Sequence, residues 1–207
     1  MKGFMQTSDQ EQIQMVKDWW KRYGGYILSA ILAVGIISFG WRYWQHYQQR
    51  RIERASINYA QMLTALDQQK QAEVKLYAQQ LMKDYAKSAY ASMAALILAK
   101  VAVQAGDFSL AYEQLQFVLT KSSTSALRQI ARIRAARVLL ATKKPQAALD
   151  ILAIVDDAAY QAEIAEVSGD ALFQLDKIAE AKQAYQKAKS LENDVKLPLL
   201  QLKMQQF

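Results

Sequence analysis

The stretch Gly169–Ala188, GDALFQLDKIAEAKQAYQKA, contains the pattern that decides the fold. Two segments with helical spacing of apolar residues flank the polar pair Asp176-Lys177, which predicts a turn. Small and large residues follow one another at gaps of 3, 9, 4 and 3, in the order Gly169, Leu172, Ala181, Tyr185 and Ala188. Small residues let two helices cross closely, and large ones fill the space against a neighbouring helix. The stretch therefore predicts a helix–turn–helix unit.

The same pattern occurs twice upstream, which indicates a repeat. The alanines at positions 111, 148 and 181 are 37 and 33 residues apart, close to the period of about 34 residues of the tetratricopeptide repeat, which the pattern resembles. An ordinary antiparallel bundle is the alternative, because alanines and aromatics at helical spacing also form simple cores. Residues 52–86 are too degenerate to assign to a repeat. The upstream copies are Ala136, Leu139, Ala148, Leu152 and Val155, and, more weakly, Ala99, Ala102, Ala111, Leu115 and Val118.

The remaining sequence also favours helix. The 207 residues include only two prolines and seven glycines, and no alternating pattern long enough for a strand is present. We therefore predict an all-α fold, in which a single N-terminal transmembrane helix is followed by a tetratricopeptide-like solenoid of helical hairpins. Short breaks, the last of them at Asn193-Asp194, separate predicted helices at 52–70, 71–86, 89–105, 108–121, 125–142, 145–155, 158–175, 177–191 and 196–205.

The transmembrane helix is predicted from Tyr23–Trp41, YGGYILSAILAVGIISFGW, which contains no charged residue. At about 1.5 Å per residue such a helix reaches about 28 Å, close to the hydrocarbon thickness of a bilayer. All four tryptophans of the chain lie at or beside its two ends, at positions 19, 20, 41 and 44, where aromatic rings favour the headgroup region. The sequence thus predicts three parts: a short N-terminal segment 1–22, a membrane helix 23–44 and a helical domain 45–207.

Two other interpretations of the apolar stretch fit less well. A buried core helix of a soluble protein is rarely apolar on every side, and this stretch is bordered by Lys21, Arg22 and Arg42. A cleaved signal peptide has an apolar region of about 7–15 residues followed by a small-x-small site, which Ser38-Phe39-Gly40 matches weakly. The preceding segment 1–22 fits either an amphipathic helix at the membrane surface or a frayed terminus.

The composition offers few groups for catalysis. The chain has no cysteine, and His46 is its only histidine, which excludes thiolate catalysis, disulfides, zinc sites of the usual ligand sets and Ser-His-Asp triads. No glycine-rich loop that binds phosphate is present. The closest acidic pair, Asp156-Asp157, falls between two predicted helices, where acids commonly cap the next helix. We therefore predict no enzyme activity, no catalytic, cofactor-binding or metal-binding residue, and no cofactor.

The net charge is +7, and the densest basic cluster lies in one predicted helix. It consists of Arg128, Arg132, Arg134 and Arg137. At about 100° per residue, positions 128 and 132 share one side of the helix and positions 134 and 137 share another. The four form no single stripe, and no nucleic acid partner is expected. Solvated flanks or salt bridges to neighbouring helices are expected instead, with a patch for an acidic client or partner as the alternative.

Several blocks of the sequence resemble YfgM-like proteins, which are ancillary subunits of the bacterial SecYEG translocon. The resemblance is carried by Glu11-Gln12, by Lys17–Gly24 (KDWWKRYG) and by Gly40–Trp44 (GWRYW). It extends to the order of the parts, one membrane helix followed by a tetratricopeptide-like tail, and covers nearly the whole chain. The GWRYW block beside the apolar stretch is the specific signal, because the repeat alone occurs in many proteins.

The resemblance implies a location and a set of partners. YfgM-like proteins are single-pass proteins of the bacterial inner membrane, with a cytoplasmic N-terminus and a periplasmic C-terminal domain. The implied partners are the SecYEG translocon, the periplasmic chaperone PpiD, client polypeptides and membrane lipid. The charges beside the apolar stretch, taken alone, slightly favour the opposite orientation. They are Lys17, Lys21 and Arg22 before it and Arg42, Arg50, Arg51 and Arg54 after it.

Two functional hypotheses follow from the resemblance. The first is a membrane-anchored, non-catalytic interaction protein, ancillary to the SecYEG translocon, that helps pass secreted or membrane proteins to periplasmic chaperones. Its mechanism is tethering, which raises the local concentration of a weakly binding partner. The second is a membrane anchor that regulates a cytoplasmic stress-response regulator through its N-terminal segment. Deletion of residues 1–18 separates the two, because loss of translocon association would favour the first and loss of only a transcriptional response would favour the second.

Overall fold

The computed structural model of the protein describes residues 6–191 and 199–205, and the regular structure in these ranges is helical. The all-α prediction is therefore confirmed for this part of the chain, and the predicted bounds of the helices from residue 71 to 191 agree to within a few residues. The predicted break at Asn193-Asp194 lies outside the described residues. The helices are α1 Gln6–Asp67, α2 Gln71–Asp84, α3 Ala89–Gln104, α4 Phe108–Lys121, α5 Ser125–Ala141, α6 Pro145–Leu152, α7 Gln161–Gln174, α8 Ile178–Ser190 and α9 Leu200–Met204.

The chain divides into two compact units, Met1–Arg51 and Ile52–Phe207. In the first unit, the rings of Trp19 and Tyr23 lie 5.8 Å apart, and those of Trp41 and Trp44 lie 5.7 Å apart. By length and hydropathy, none of the helices qualifies as a membrane span when the described residues alone are considered. The membrane helix predicted over residues 23–44 therefore stays a prediction.

The second unit is a stack of helical hairpins. The end of α1 packs with α2, and the pairs α3–α4, α5–α6 and α7–α8 follow. The first helices of successive hairpins also touch, since α3 contacts α5 and α5 contacts α7. The short helix α9 packs on α8. This arrangement confirms the predicted tetratricopeptide-like solenoid and adds a hairpin over residues 52–84, which the sequence pattern did not assign.

One turn geometry recurs in the four hairpins of the described residues. In each turn the residue after the left-handed one donates its N–H to a carbonyl five positions earlier, as Lys144 does to Leu139 at 2.9 Å. This closure satisfies carbonyl groups at the end of the first helix. The shared geometry explains why residues 52–84 form a hairpin without a glycine or proline at the turn. The left-handed residues are Gln69 at φ 57°, Gly106 at 77°, Lys143 at 60° and Asp176 at 60°.

Replacing Lys143 with glycine should stabilise the hairpin stack. A left-handed conformation costs a residue with a Cβ about 1–2 kcal/mol, and the greater freedom of glycine in the unfolded chain offsets part of the gain. We expect the free energy of unfolding to rise by about 0.5–1 kcal/mol, measured by urea denaturation followed by circular dichroism. Lys144, at φ −120°, is the control, and its replacement with glycine should destabilise. Equal effects at both positions would contradict this explanation of the turn.

The residues of the predicted repeat pattern form the core between the hairpins. At the last hairpin, helices α7 and α8 approach closely at Gly169, since a Cβ there would lie only 2.6 Å from Cε1 of Tyr185. The prediction was wrong for Val155, which is 51 % exposed because α6 ends at Leu152 and Val155 lies beyond it. The other fourteen pattern residues are buried, apart from the half-buried Leu172.

Candidate protein-binding groove

A groove between α3 and α5, the first helices of neighbouring hairpins, is the candidate binding site. It encloses about 540 Å³ and has an apolar floor that includes Val103, Phe108, Leu115 and Val138. This volume lies within the range of about 300–1,000 Å³ of typical ligand pockets. Val103 is 41 % exposed, so part of the apolar floor is open to solvent. Hairpin stacks commonly bind partners along an extended surface of this kind.

Three basic side chains, Lys100, Arg134 and Arg137, line the same groove. Among the described residues, no aspartate or glutamate lines it. Arg137 donates to Glu166 over 3.4 Å, whereas Lys100 and Arg134 form no ion pair within residues 6–191 and 199–205. Partial burial, together with the charge of Arg137, lowers the pKa of the Arg134 guanidinium. The groove therefore combines an apolar floor with positive charge that the fold leaves largely uncompensated.

A larger cavity of about 1050 Å³ lies among α2, α3 and α4. Its lining contains both Lys83 and Glu113, so it shows no preference for one sign of charge. Gln114 also lines it and is 7 % exposed. The side-chain Oε1 of Gln114 has no hydrogen-bond partner in the described part of the chain. The cavity is large and contains one hydrogen-bond acceptor without a partner among the described residues, but its mixed charges favour neither an acidic nor a basic ligand.

The other two arginines of the basic cluster are used within the fold. Arg132 and Arg128 bind the Asp156 carboxylate at 2.7 and 3.0 Å. Burial alone would raise the pKa of Asp156, but hydrogen bonds and charge from Arg132 and Arg128 outweigh it and lower the pKa. The fully buried Gln129 accepts a hydrogen bond from the backbone N–H of Asp156 at 2.7 Å. These contacts hold the loop after α6 on α5. Salt bridges were predicted to neighbouring helices, and of this cluster only Arg137 reaches one, at Glu166 of α7, among the described residues.

A second polar network joins α9 to the last hairpin. Lys203 donates to Glu166 at 2.7 Å and to Asp170 at 2.8 Å. The Tyr185 hydroxyl donates to Asp170 at 2.8 Å. Burial raises the pKa of Tyr185, and the charge and hydrogen bond of Asp170 raise it further. The hydroxyl therefore stays protonated and remains a donor, so the network fastens α7, α8 and α9 to one another.

The residues considered for chemistry in the sequence form no common site within the described part of either unit. His46 is exposed in the first unit. Of the acidic pair expected to cap a helix, Asp157 does so, since it accepts the N–H of Ala159 at 3.0 Å and caps the short 3₁₀ turn Ala158–Tyr160. Asp156 instead binds Arg128 and Arg132. Within the described ranges, no group of three or more histidine, aspartate or glutamate side chains is placed to hold a metal ion.

The basic cluster seen in the sequence includes Arg134 and Arg137, but it did not indicate that Lys100 lines the same groove. A signal for the connection exists in the repeat. Lys100 directly follows Ala99, and Arg137 directly follows Ala136, so the two are equivalent positions in neighbouring hairpins. In the next hairpin the equivalent residue is Asp170, which directly follows Gly169. The charge at this repeat position is therefore positive in two hairpins and negative in the last.

Comparison with known proteins identifies relatives over nearly the entire chain. The family described as tetratricopeptide repeat-like domain matches residues 17–207. A protein of Haemophilus influenzae named "Ancillary SecYEG translocon subunit" is 33% identical over 95% of this chain and 96% of its own. A protein of the same name from Escherichia coli is 30% identical over 80% of this chain and 79% of its own. One from Aggregatibacter actinomycetemcomitans is 28% identical over 95% and 96%.

Proposed function

This chain belongs to the family of ancillary SecYEG translocon subunits, and on this premise we propose that it is a membrane-anchored, non-catalytic binding protein that associates with the SecYEG translocon. The observation that carries the proposal is the extent of the similarity. Relatives that bear this name match across 95% of this chain, so the match includes both the N-terminal region and the hairpin stack. The uninterrupted stack supports a binding role, since such surfaces typically bind other proteins.

The anchor is the apolar stretch Tyr23–Trp41, within a membrane helix of residues 23–44. Its freedom from charge and the tryptophans at both ends support this assignment. Described apolar side chains of the stretch are also exposed, among them Ile36 at 65 % and Phe39 at 75 %. Contiguous exposed apolar surface is costly in water and marks contact with lipid or protein. Membrane lipid is therefore a proposed partner of the first unit.

The proposed arrangement places residues 1–22 in the cytoplasm and residues 45–207 in the periplasm, as in YfgM-like proteins. The hairpin stack then stays close to the exit of the translocon. Tethering raises the effective concentration of the binding surface near an emerging polypeptide. A large fraction of the surface is then bound even when the affinity is weak. We propose that the stack holds secreted or membrane proteins briefly and passes them to periplasmic chaperones, PpiD among them.

The test is co-purification of the tagged, full-length protein from membranes solubilised in mild detergent. The proposal expects SecYEG and a periplasmic chaperone in the purified complex, and it expects the protein to stay with membranes when cells are fractionated without detergent. Release into the soluble fraction, or a complex with neither partner, would overturn it. A variant without residues 1–18 that keeps both partners but loses a transcriptional response would favour the regulatory anchor instead.

A further inference from the structure

The groove between α3 and α5 has a chemistry that selects its occupant. Its three cations stand on the two helices that form its walls, Lys100 on α3 and Arg134 and Arg137 on α5. The apolar residues of the floor line the same groove. Because the described lining contains no acidic side chain, the positive charge of Lys100 and Arg134 is available to a bound group.

The arginines of helix α5 differ in whether the fold pairs them with an acid. In the same helix α5, Arg128 and Arg132 are both bound to Asp156. Arg134 lies on the same helix, lines the groove and has no acidic partner in the described part of the chain. Partial burial and the neighbouring Arg137 both lower the pKa of Arg134, whereas a bound anion would favour the charged guanidinium and so act against both effects.

From this charge complementarity we propose that the groove between α3 and α5 binds a polypeptide segment in which an apolar side chain is flanked by carboxylates. The apolar side chain packs on Val103 and Val138, and the carboxylates meet Arg134 and Lys100. This rests on the proposed function, in which the hairpin stack binds proteins near the translocon, and it adds the class of segment that is bound. A guanidinium can bind a carboxylate through two hydrogen bonds, which makes Arg134 the main determinant.

The experiment measures binding of a short labelled peptide to the full-length protein in nonionic detergent, by fluorescence anisotropy. The probe contains leucine and phenylalanine flanked by glutamates, and a matched peptide carries lysine in place of glutamate. We expect the wild type to prefer the acidic peptide, and Arg134→Glu to weaken its binding by about tenfold. Added salt should also weaken the wild-type interaction.

The matched control is Lys182→Glu, because Lys182 is exposed on α8 and lines neither cavity. It makes the same type of charge reversal and should leave binding unchanged. Val103→Ser should weaken binding of both peptides, since it removes part of the apolar floor. Arg134 is only partly buried and forms no ion pair in the described part of the chain, so Arg134→Glu should preserve the far-ultraviolet circular dichroism spectrum, which verifies folding.

Three results of the peptide assay would overturn the proposal: equal binding of the acidic and basic peptides, unchanged binding by Arg134→Glu, or an equal loss with Lys182→Glu. Concentration-dependent dimerisation that Arg134→Glu abolishes would also overturn it, because the occupant would then be a second copy of this chain. The peptide assay contains no translocon. Failure of the assay with intact SecYEG co-purification therefore rejects only this inference, whereas peptide binding without co-purification rejects the proposed function.

Discussion

Replacement of Asp156 with asparagine is expected to lower the free energy of unfolding by about 2 kcal/mol at neutral pH, because removing one partner of a largely buried ion pair leaves the other charge uncompensated. Arg132 is 8 % exposed, and its guanidinium lies 2.7 Å from Asp156. Asparagine keeps the shape of the side chain and the backbone N–H that binds Gln129. The loss therefore reports the negative charge together with one accepting oxygen, since both carboxylate oxygens accept hydrogen bonds from arginines. Urea denaturation of the full-length protein measures it.

The same variant makes a prediction about pH. The pKa of Asp156 is lowered in the folded protein, so the stabilisation is complete above the unfolded value of about 3.9 and disappears as the pH falls through the lowered pKa. The difference in stability between wild type and Asp156→Asn should be constant from neutral pH to about pH 5 and shrink below about pH 4.

The control is Asp150→Asn, since Asp150 is exposed on α6 and accepts a hydrogen bond only from the nearby Gln146 among the described residues. Its replacement should change the free energy of unfolding by less than about 0.5 kcal/mol. An Asp156→Asn protein as stable as the wild type at neutral pH would show that the Arg128 and Arg132 contacts contribute nothing net. A difference that persists unchanged in acid would assign the loss to packing instead of charge.

Gly169→Ala is expected to destabilise the last hairpin by about 1–2 kcal/mol, although alanine normally favours a helix over glycine by about 1 kcal/mol. The added Cβ would lie 2.6 and 2.7 Å from two ring carbons of Tyr185. The ring cannot move aside easily, because Tyr185 is 3 % exposed and its hydroxyl is bound to Asp170. Steric overlap should therefore outweigh helix propensity.

A double-mutant cycle tests this cause. In a Tyr185→Leu background the ring is absent, so Gly169→Ala should become neutral or stabilising, and the coupling between the two changes should exceed about 1 kcal/mol. Thermal or urea denaturation followed by circular dichroism gives all four values. If Gly169→Ala stabilises the wild type, or if its effect is the same in both backgrounds, then the close approach of α7 and α8 does not depend on this glycine.

The hairpins were predictable where small and large residues alternate with the repeat period. Gly169, Ala181 and Tyr185 predicted the last hairpin because a close crossing needs a small residue opposite a large one. Two helices were predicted over residues 52–86 but were not assigned to the repeat, because this segment does not show the recurring spacing of small and large residues. Its turn gave no better signal, since Gln69 occupies the left-handed position that Gly106 occupies in the next hairpin.

The groove was less predictable than the fold. The helix wheel separated Arg134 from Arg132, but only the three-dimensional structure shows that Asp156 neutralises Arg132 and leaves Arg134 facing the groove. This difference depends on the loop after α6, whose position is fixed by contacts more than twenty residues apart in sequence. The burial of ion-pair partners is a tertiary property, so charge counting alone could not identify the uncompensated cations.

The central claim, that the hairpin stack binds proteins at the translocon through the groove between α3 and α5, is tested most directly by site-specific photocrosslinking in intact cells. A photoreactive residue is placed at Val103 in the groove and, as a control, at Ile178 on α8, since both side chains are 41 % exposed. We predict that Val103 captures translocon subunits, chaperones or emerging polypeptides, that Arg134→Glu reduces this capture, and that Ile178 captures far less. Equal capture at both positions, or capture at Val103 that Arg134→Glu leaves unchanged, would contradict the claim.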